Sequence, residues 1–254
     1  MDALAGSSFH SPQFPKAHFH CSGKSTLLLT LLRLLELQSG RIELDGIDIK
    51  KVRLEVLRQR CFITVSQDPL LLANETLRFN LDPAGSLPNE TLIASLQRTE
   101  LWSHFLQGAP GGEEGFGVDS ESGIHNLASD QHPILDRNLS SFPELSVGQG
   151  QLLALCRALI KAQTAECFGR KPVVLLDEVT SSLDSVTESI IHGIIDDEFT
   201  EKGHTVIWVA HRIGLLANHT VPGRDVIVLL GDGRLQEVIT DLSQMAFEKL
   251  GRLE

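Results

Sequence analysis

Two short, uninterrupted apolar runs constrain this chain most. Val173-Val174-Leu175-Leu176 is bounded by Pro172 and Asp177, and Thr205-Val206-Ile207-Trp208-Val209-Ala210 ends at His211. Strands buried on both faces read this way, and such strands belong to parallel sheets covered by helices. The chain is 254 residues long, enough for one large α/β domain or two subdomains with a full core.

Each apolar run ends in chemistry. Carboxylates at the carboxyl end of a parallel strand face the crevice where α/β sheets bind ligands. Asp177 and Glu178 follow the first run and His211 the second. One carboxylate there can hold Mg²⁺ and the next can polarise water. Gln67 ends a third predicted strand, Cys61-Phe62-Ile63-Thr64-Val65. Seen singly, each residue also fits a plain structural role: a solvated turn acid, a structural histidine, a loop glutamine.

Two predicted helix starts carry phosphate-type signals. Gly23-Lys24-Ser25-Thr26 opens the run Ser25 to Leu37, a helix predicted to end near Gly40. The first-turn N–H groups of a helix lack intrahelical partners, and the helix dipole favours an anion. Lys24 then reaches phosphate and Ser25 a metal ion. Leu145-Ser146-Val147-Gly148-Gln149-Gly150-Gln151 opens a second helix, capped by Ser146, with an apolar face of Leu152, Leu155, Cys156, Leu159 and Ile160. The alternative for each is an ordinary helix N-terminus.

Elsewhere Asp45-Gly46 predicts a turn between Arg41–Leu44 and Ile47–Ile49, and Leu87-Pro88-Asn89-Glu90 begins a helix. Ser185 and Glu188 have capping-box spacing before Ile190. Asp225–Leu230 and Arg234–Val238 flank Gly231-Asp232-Gly233 as a hairpin. The Gly-, Ser-, Asp- and Pro-rich stretch 108–143 is too long for a tight connection and is expected to be a partly disordered surface loop.

The net charge of −11 argues against non-specific nucleic-acid binding. No run reaches the roughly 20 apolar residues of a membrane span, and the first twenty residues lack a signal-peptide core. Four cysteines without CxxC spacing predict reduced thiols, with Cys156 in the core. His18, His20 and Cys21 have no second cluster to complete a metal site.

Taken in order, these segments resemble the nucleotide-binding domain of ABC transporters over residues 21–240. SGKST (Ser22 to Thr26) is similar to the end of the Walker A motif and Gln67 in VSQDP to the Q-loop. LSVGQGQLL is similar to the signature motif, VVLLDE to Walker B, SSLD ending at Asp184 to the D-loop, and VAHR with His211 to the switch segment. LSVGQ with a Walker B glutamate is most similar to the second such domain of the C subfamily.

The resemblance implies a P-loop NTPase of α/β class. It implies a mostly parallel sheet flanked by helices, an incomplete antiparallel β-subdomain and a helical signature subdomain over about residues 70–165, with a helical tail at 241–254. It implies ATP and Mg²⁺ as ligands. Ser22, Gly23, Lys24, Ser25 and Thr26 would hold ATP, while Ser25, Gln67 and Asp177 would hold Mg²⁺. Glu178 would be the general base, and His211 and Gln67 would assist it. Ser146, Gly148, Gln149 and Asp184 would face ATP on a second nucleotide-binding domain bound head to tail. The implied setting is the cytoplasmic face of a membrane beside transmembrane domains, or the cytoplasm if the chain is expressed alone.

The sequence departs from the family at its start. The phosphate loop of the family reads G-x-x-G-x-G-K-[ST], and its first two glycines fall here on His18 and Cys21. Pro12, Pro15 and Lys16 predict a poor central strand. The family's adenine-stacking aromatic has no counterpart, since the chain has no Tyr and Phe9, Phe14 and Phe19 lie too near the loop. Residues 1–20 are therefore expected to be a non-homologous segment. The rival reading is a remnant that binds only a partner domain. A chromosome-maintenance type of ATPase needs a long coiled coil, and no sustained heptads occur between Ser25 and Ser146.

Overall fold

The computed structural model describes residues 8–9, 16–20, 24–107, 132–181, 183–210, 220–231 and 234–240. The chain divides into two compact bodies. One comprises residues 1–67 with 161–254, and the other residues 68–160.

In the first body the apolar runs form a six-stranded sheet. It contains β2 (Lys16–His20), β5 (Phe62–Val65), β6 (Val173–Asp177), β7 (Val206–Val209), β8 (Asp225–Gly231) and β9 (Arg234–Ile239). Their order is β5-β6-β7-β2-β8-β9. The first five run parallel and β9 returns antiparallel from β8. β6 and β7 are buried along nearly their whole length, as unbroken Val/Ile/Leu runs require. A smaller sheet pairs β1 (Ser8–Phe9), β3 (Glu43–Leu44) and β4 (Ile47–Asp48). Asp45 (φ 50°) and Gly46 (φ 77°) make the predicted tight turn between β3 and β4.

The poor central strand expected at Lys16 is corrected. Lys16–His20 lies between β7 and β8, with Lys16 opposite both Val206 and Asp225. A proline is tolerated just before a strand, where no ladder donor is lost, and Pro15 precedes the first paired residue.

Helix α1 (Lys24–Leu31) packs Leu27, Leu28 and Leu31 into a core with Leu175, Ile207 and Val209. It stops short of the predicted end. Arg33 turns left-handed (φ 51°), and Arg58 donates from Nε to the Leu32 carbonyl and from Nη2 to that of Arg33, both at 2.8 Å. A cation on the terminal carbonyls satisfies acceptors that further helix would have used. The short α2 (Leu54–Val56) and a π-turn at Leu57–Cys61 lead from there into β5. Helix α7 (Ser185–Ile195) lays His192 on Trp208, with ring centroids 4.3 Å apart. Its cap is Asp184, which accepts from the backbone N–H groups of Val186 and Thr187 at 3.0 Å, and not the expected Ser185.

The second body contains α3 (Leu77–Leu81), α4 (Asn89–Arg98), α5 (Trp102–Gln107) and the first part of α6 (Val147–Glu166). Pro88 stands at the start of α4 as predicted. Leu77, Leu92, Leu96, Phe105, Leu135, Leu153 and Leu159 are fully buried. Within the stretch predicted to be a loop, residues 132–143 are ordered. The Asp136 carboxylate accepts from Arg78 Nε at 2.7 Å, and the Arg137 and Leu135 carbonyls accept from the backbone N–H groups of Leu77 and Arg78, the first two residues of α3. Residues 108–131 lie outside the described residues, as does the tail predicted at 241–254. Among the described residues no helix is long and apolar enough to cross a membrane.

Candidate functional site

Because β5, β6, β7 and β2 are parallel neighbours, their carboxyl ends share one edge of the sheet. Gln67 stands two residues beyond β5, Asp177 ends β6, and Ala210 follows β7. β2 leads into α1 from the same edge. This is the crevice edge of an open α/β sheet, where helix N-termini and strand ends meet ligands.

Two of the expected residues, Gln67 and Glu178, are each held by a hydrogen bond at this edge. Gln67 is exposed, and its Nε2 lies 3.5 Å from Ser181 Oγ in the turn after β6. Glu178 takes a left-handed backbone (φ 52°) while its N–H donates to the Val209 carbonyl at 2.9 Å. That conformation costs a non-glycine residue about 1–2 kcal/mol. Strain of this kind is held by surrounding structure and concentrates at functional sites. It turns the chain sharply out of β6 between Asp177 and Glu178, both half-buried.

Lys24 and Ser25 are the first two residues of α1, and Thr26 is half-buried in its first turn. Ser22, Gly23, Cys21 and His211 lie outside the described residues. His18 stands within β2, so three residues, 21 to 23, join the end of that strand to α1.

In the second body, Ser146, Gly148 and Gln149 form the start of α6. Ser146 Oγ accepts from the Gln149 N–H at 3.2 Å, and Gln149 Oε1 accepts from the Ser146 N–H at 2.9 Å. This is a reciprocal capping box, and S-x-x-Q spacing explains it. The exposed Val147 and the buried Gly148 lie between the two partners. The predicted Ser146 cap is thus present, with a second arm that sequence reasoning did not assign.

Asp184 is fully exposed, and the Val186, Thr187 and Thr187 Oγ1 donors hold its carboxyl below the ordinary aspartate range. It remains an anion at neutral pH, committed to capping α7. Cys156 is buried, and burial pushes its thiol up to about 12, so it is an inert core thiol as expected. Among the described residues no three His, Cys, Asp or Glu side chains cluster as a metal site. A hydroxyl, an amide and one carboxylate, the types carried by Ser25, Gln67 and Asp177, suit Mg²⁺ that keeps water and phosphate ligands.

Sequence reasoning missed two groups that brace these segments. Arg157 on α6 donates from Nε to the Asn80 carbonyl at 2.5 Å and from Nη1 to that of Leu70 at 2.6 Å. The buried Asn80 side chain pairs with both backbone groups of Leu72 at 2.9 Å. No local pattern links residues 70, 80 and 157.

Comparison with known proteins agrees with this geometry. The family model described as ABC transporter matches residues 21–181. ABC transporter C family MRP4 of Zea mays is 36% identical over 219 residues, 86% of this chain and 12% of that protein. ABC transporter C family member 9 of Arabidopsis thaliana is 35% identical over 217 residues, 85% of this chain and 12% of that protein. ABC transporter atnG of Emericella nidulans is 32% identical over 217 residues, 85% of this chain and 11% of that protein. The chain spans about an eighth of the length of these relatives. Its parallel sheet with the Gln67 and Asp177-Glu178 strand ends, its capped Ser146 helix and these matches give one conclusion: the chain belongs to the ABC transporter family, as a nucleotide-binding domain of P-loop NTPase fold resembling those of the C-family members.

Proposed function

We propose that this domain binds and hydrolyses ATP within a C-family exporter and couples nucleotide closure to movement of attached membrane domains. The observation that carries the reading is the shared sheet edge. Gln67 and the Asp177–Ser181 turn meet there within hydrogen-bond reach, beside the strand that feeds α1.

In this reading Ser22, Gly23, Lys24, Ser25 and Thr26 hold the phosphates, Lys24 supplying the charge on the β- and γ-groups. Ser25, Gln67 and Asp177 hold Mg²⁺, which supplies neutralisation of charge on the phosphate oxygens. Glu178 takes the proton of the attacking water, which Gln67 orients, and His211 steadies the γ-phosphate. Ser146, Gly148, Gln149 and Asp184 face ATP carried by a second nucleotide-binding domain, closed head to tail. That pair works at the cytoplasmic face of a membrane, beside transmembrane domains.

The departures from the family's phosphate loop favour a second reading. With side chains at His18 and Cys21 where the family has glycines, and no matching stacking aromatic, the domain binds a partner but not nucleotide. Base stacking is worth about 1–3 kcal/mol, or about one to two orders of magnitude in affinity.

Turnover measured with the partner domain supplied tests the first reading. Glu178→Gln is expected to retain ATP binding and lose hydrolysis. Hydrolysis at the unmutated rate in that variant removes Glu178 as the base, and an unmutated domain that pairs with its partner but binds no ATP supports the remnant.

A further inference from the structure

The structure assigns His104 the task of positioning the start of α6, a step that rests on the proposed role of Ser146, Gly148 and Gln149 toward a partner's nucleotide. His104 lies on α5, far from those residues in sequence. Its Nδ1 is 3.2 Å from Gln149 Nε2, and its Nε2 is 3.3 Å from the Pro143 carbonyl oxygen.

The hydrogen bonds along this path allow one polarity. The Ser146 N–H can only donate, so the Gln149 atom that faces it is Oε1. The other end of that amide is then the NH₂ group, which must donate toward His104 Nδ1. Nδ1 therefore accepts, and the ring proton sits on Nε2, where the Pro143 carbonyl accepts it. The Ser146 N–H, Gln149 amide, imidazole and Pro143 carbonyl form a continuous relay, and the last member lies three residues before the first. The Gln149 N–H closes the cap on Ser146 Oγ.

The imidazole is held firmly enough to do this. The neighbouring Phe105 is fully buried, and its ring meets the Phe142 ring edge-on at 5.0 Å. Arg137 lies 4.6 Å over the Phe142 ring and donates from Nη2 to the Ser141 carbonyl at 3.1 Å. Residues 141–143 and α5 are thus fixed to each other, and the histidine spans from them to the first turn of α6. Its Nδ1 acceptor selects the amide orientation in which Gln149 caps the helix. Without that acceptor the Gln149 side chain loses its second anchor, and the segment Leu145-Ser146-Val147 loses the cap that sets its backbone.

Two variants separate positioning from simple packing. His104→Leu keeps a side chain of similar bulk but removes the acceptor. His104→Asn keeps an acceptor, because its Oδ1 overlays Nδ1. Amide hydrogen exchange of Gln149 is read in the chain alone, and ATP-driven closure or turnover is read with the partner domain. One hydrogen bond is worth about 0.5–1.5 kcal/mol, a factor of about two to thirteen. His104→Leu is expected to speed Gln149 exchange by about three- to tenfold, and His104→Asn to restore it to within about twofold. The Leu variant is expected to weaken partner-dependent closure by a similar factor and leave ATP affinity at the domain's own phosphate site unchanged. Unchanged Gln149 exchange in His104→Leu, or equal acceleration in both variants, overturns the assignment. Faster exchange with unaltered partner-dependent closure upholds the positioning by His104 and instead overturns the role proposed for the Ser146 segment.

Discussion

Replacing Asn80 with alanine removes the side chain that fixes residues 70–72 in the second body. Asn80 is 3% exposed. Its Oδ1 accepts from the Leu72 N–H at 2.9 Å and from Arg157 Nη2 at 3.2 Å. Its Nδ2 donates to the Leu72 carbonyl at 2.9 Å and to that of Thr76 at 3.0 Å. A stranded buried polar group costs about 1–3 kcal/mol. Leu72 is 38% exposed, so water reaches part of what is stranded and the lower half of that range applies. The Arg157 Nε and Nη1 bonds end on backbone carbonyls and survive the substitution. With both the Leu72 N–H and its carbonyl stranded, at about 1–2 kcal/mol each, the expected loss is about 2–4 kcal/mol. At a urea slope of about 2 kcal/mol/M this moves the unfolding midpoint down by about 1–2 M. Far-UV circular dichroism against urea reads it. The Arg157→Met variant adds a cycle, in which the shared Nη2 bond is expected to give a coupling of about 0.5–1 kcal/mol. A loss below about 1 kcal/mol with no coupling would show that the Asn80 network does not hold this segment.

Acid unfolding should sense Asp136. Burial raises its carboxyl, but the Arg78 and His132 N–H hydrogen bonds outweigh that and hold it below the ordinary range. A depressed carboxylate contributes stability above its unfolded value of about 3.9, lost as pH falls through the folded value. Asp136→Asn is expected to flatten that acid limb while leaving the neutral-pH curve's shape unchanged, and an unchanged limb contradicts it. Glu178→Gly relieves the left-handed backbone but adds unfolded-state entropy, terms of about 1–2 and 0.5–1 kcal/mol. Thermal melts should show stability within about 1 kcal/mol of the parent or slightly higher, with turnover lost. Marked destabilisation would mean that the carboxylate has a structural task. Ser146→Ala removes one arm of the capping box and should cost about 1 kcal/mol, read as faster exchange in the first turn of α6.

What could be read from the sequence follows the range of the interactions. β6 and β7 were legible because four or more consecutive apolar residues bounded by Pro172 and His211 have few alternatives. The Ser146 cap was legible because a serine directly before an apolar helical run is a local signal. The end of α1 was not, since Arg58 takes the Leu32 and Arg33 carbonyls from a distant point in the chain. β2 is hard to read because Pro12 and Pro15 stand just ahead of it, whereas pairing begins only at Lys16, after Pro15. At Asp184 the Ser185–Glu188 spacing pointed one residue too far, and an aspartate with two free N–H groups in reach took the cap. His104, Asn80 and Arg157 act across gaps of tens of residues, where one sequence carries no signal.

The central claim is that the edge formed by β2, β5, β6 and β7 grips a nucleotide. Equilibrium titration of the chain with fluorescent ATP, with and without Mg²⁺, addresses it most directly. Saturable, Mg²⁺-dependent binding that disappears in Lys24→Ala is the predicted result. Absence of binding up to millimolar ATP in the folded, unmutated chain contradicts it.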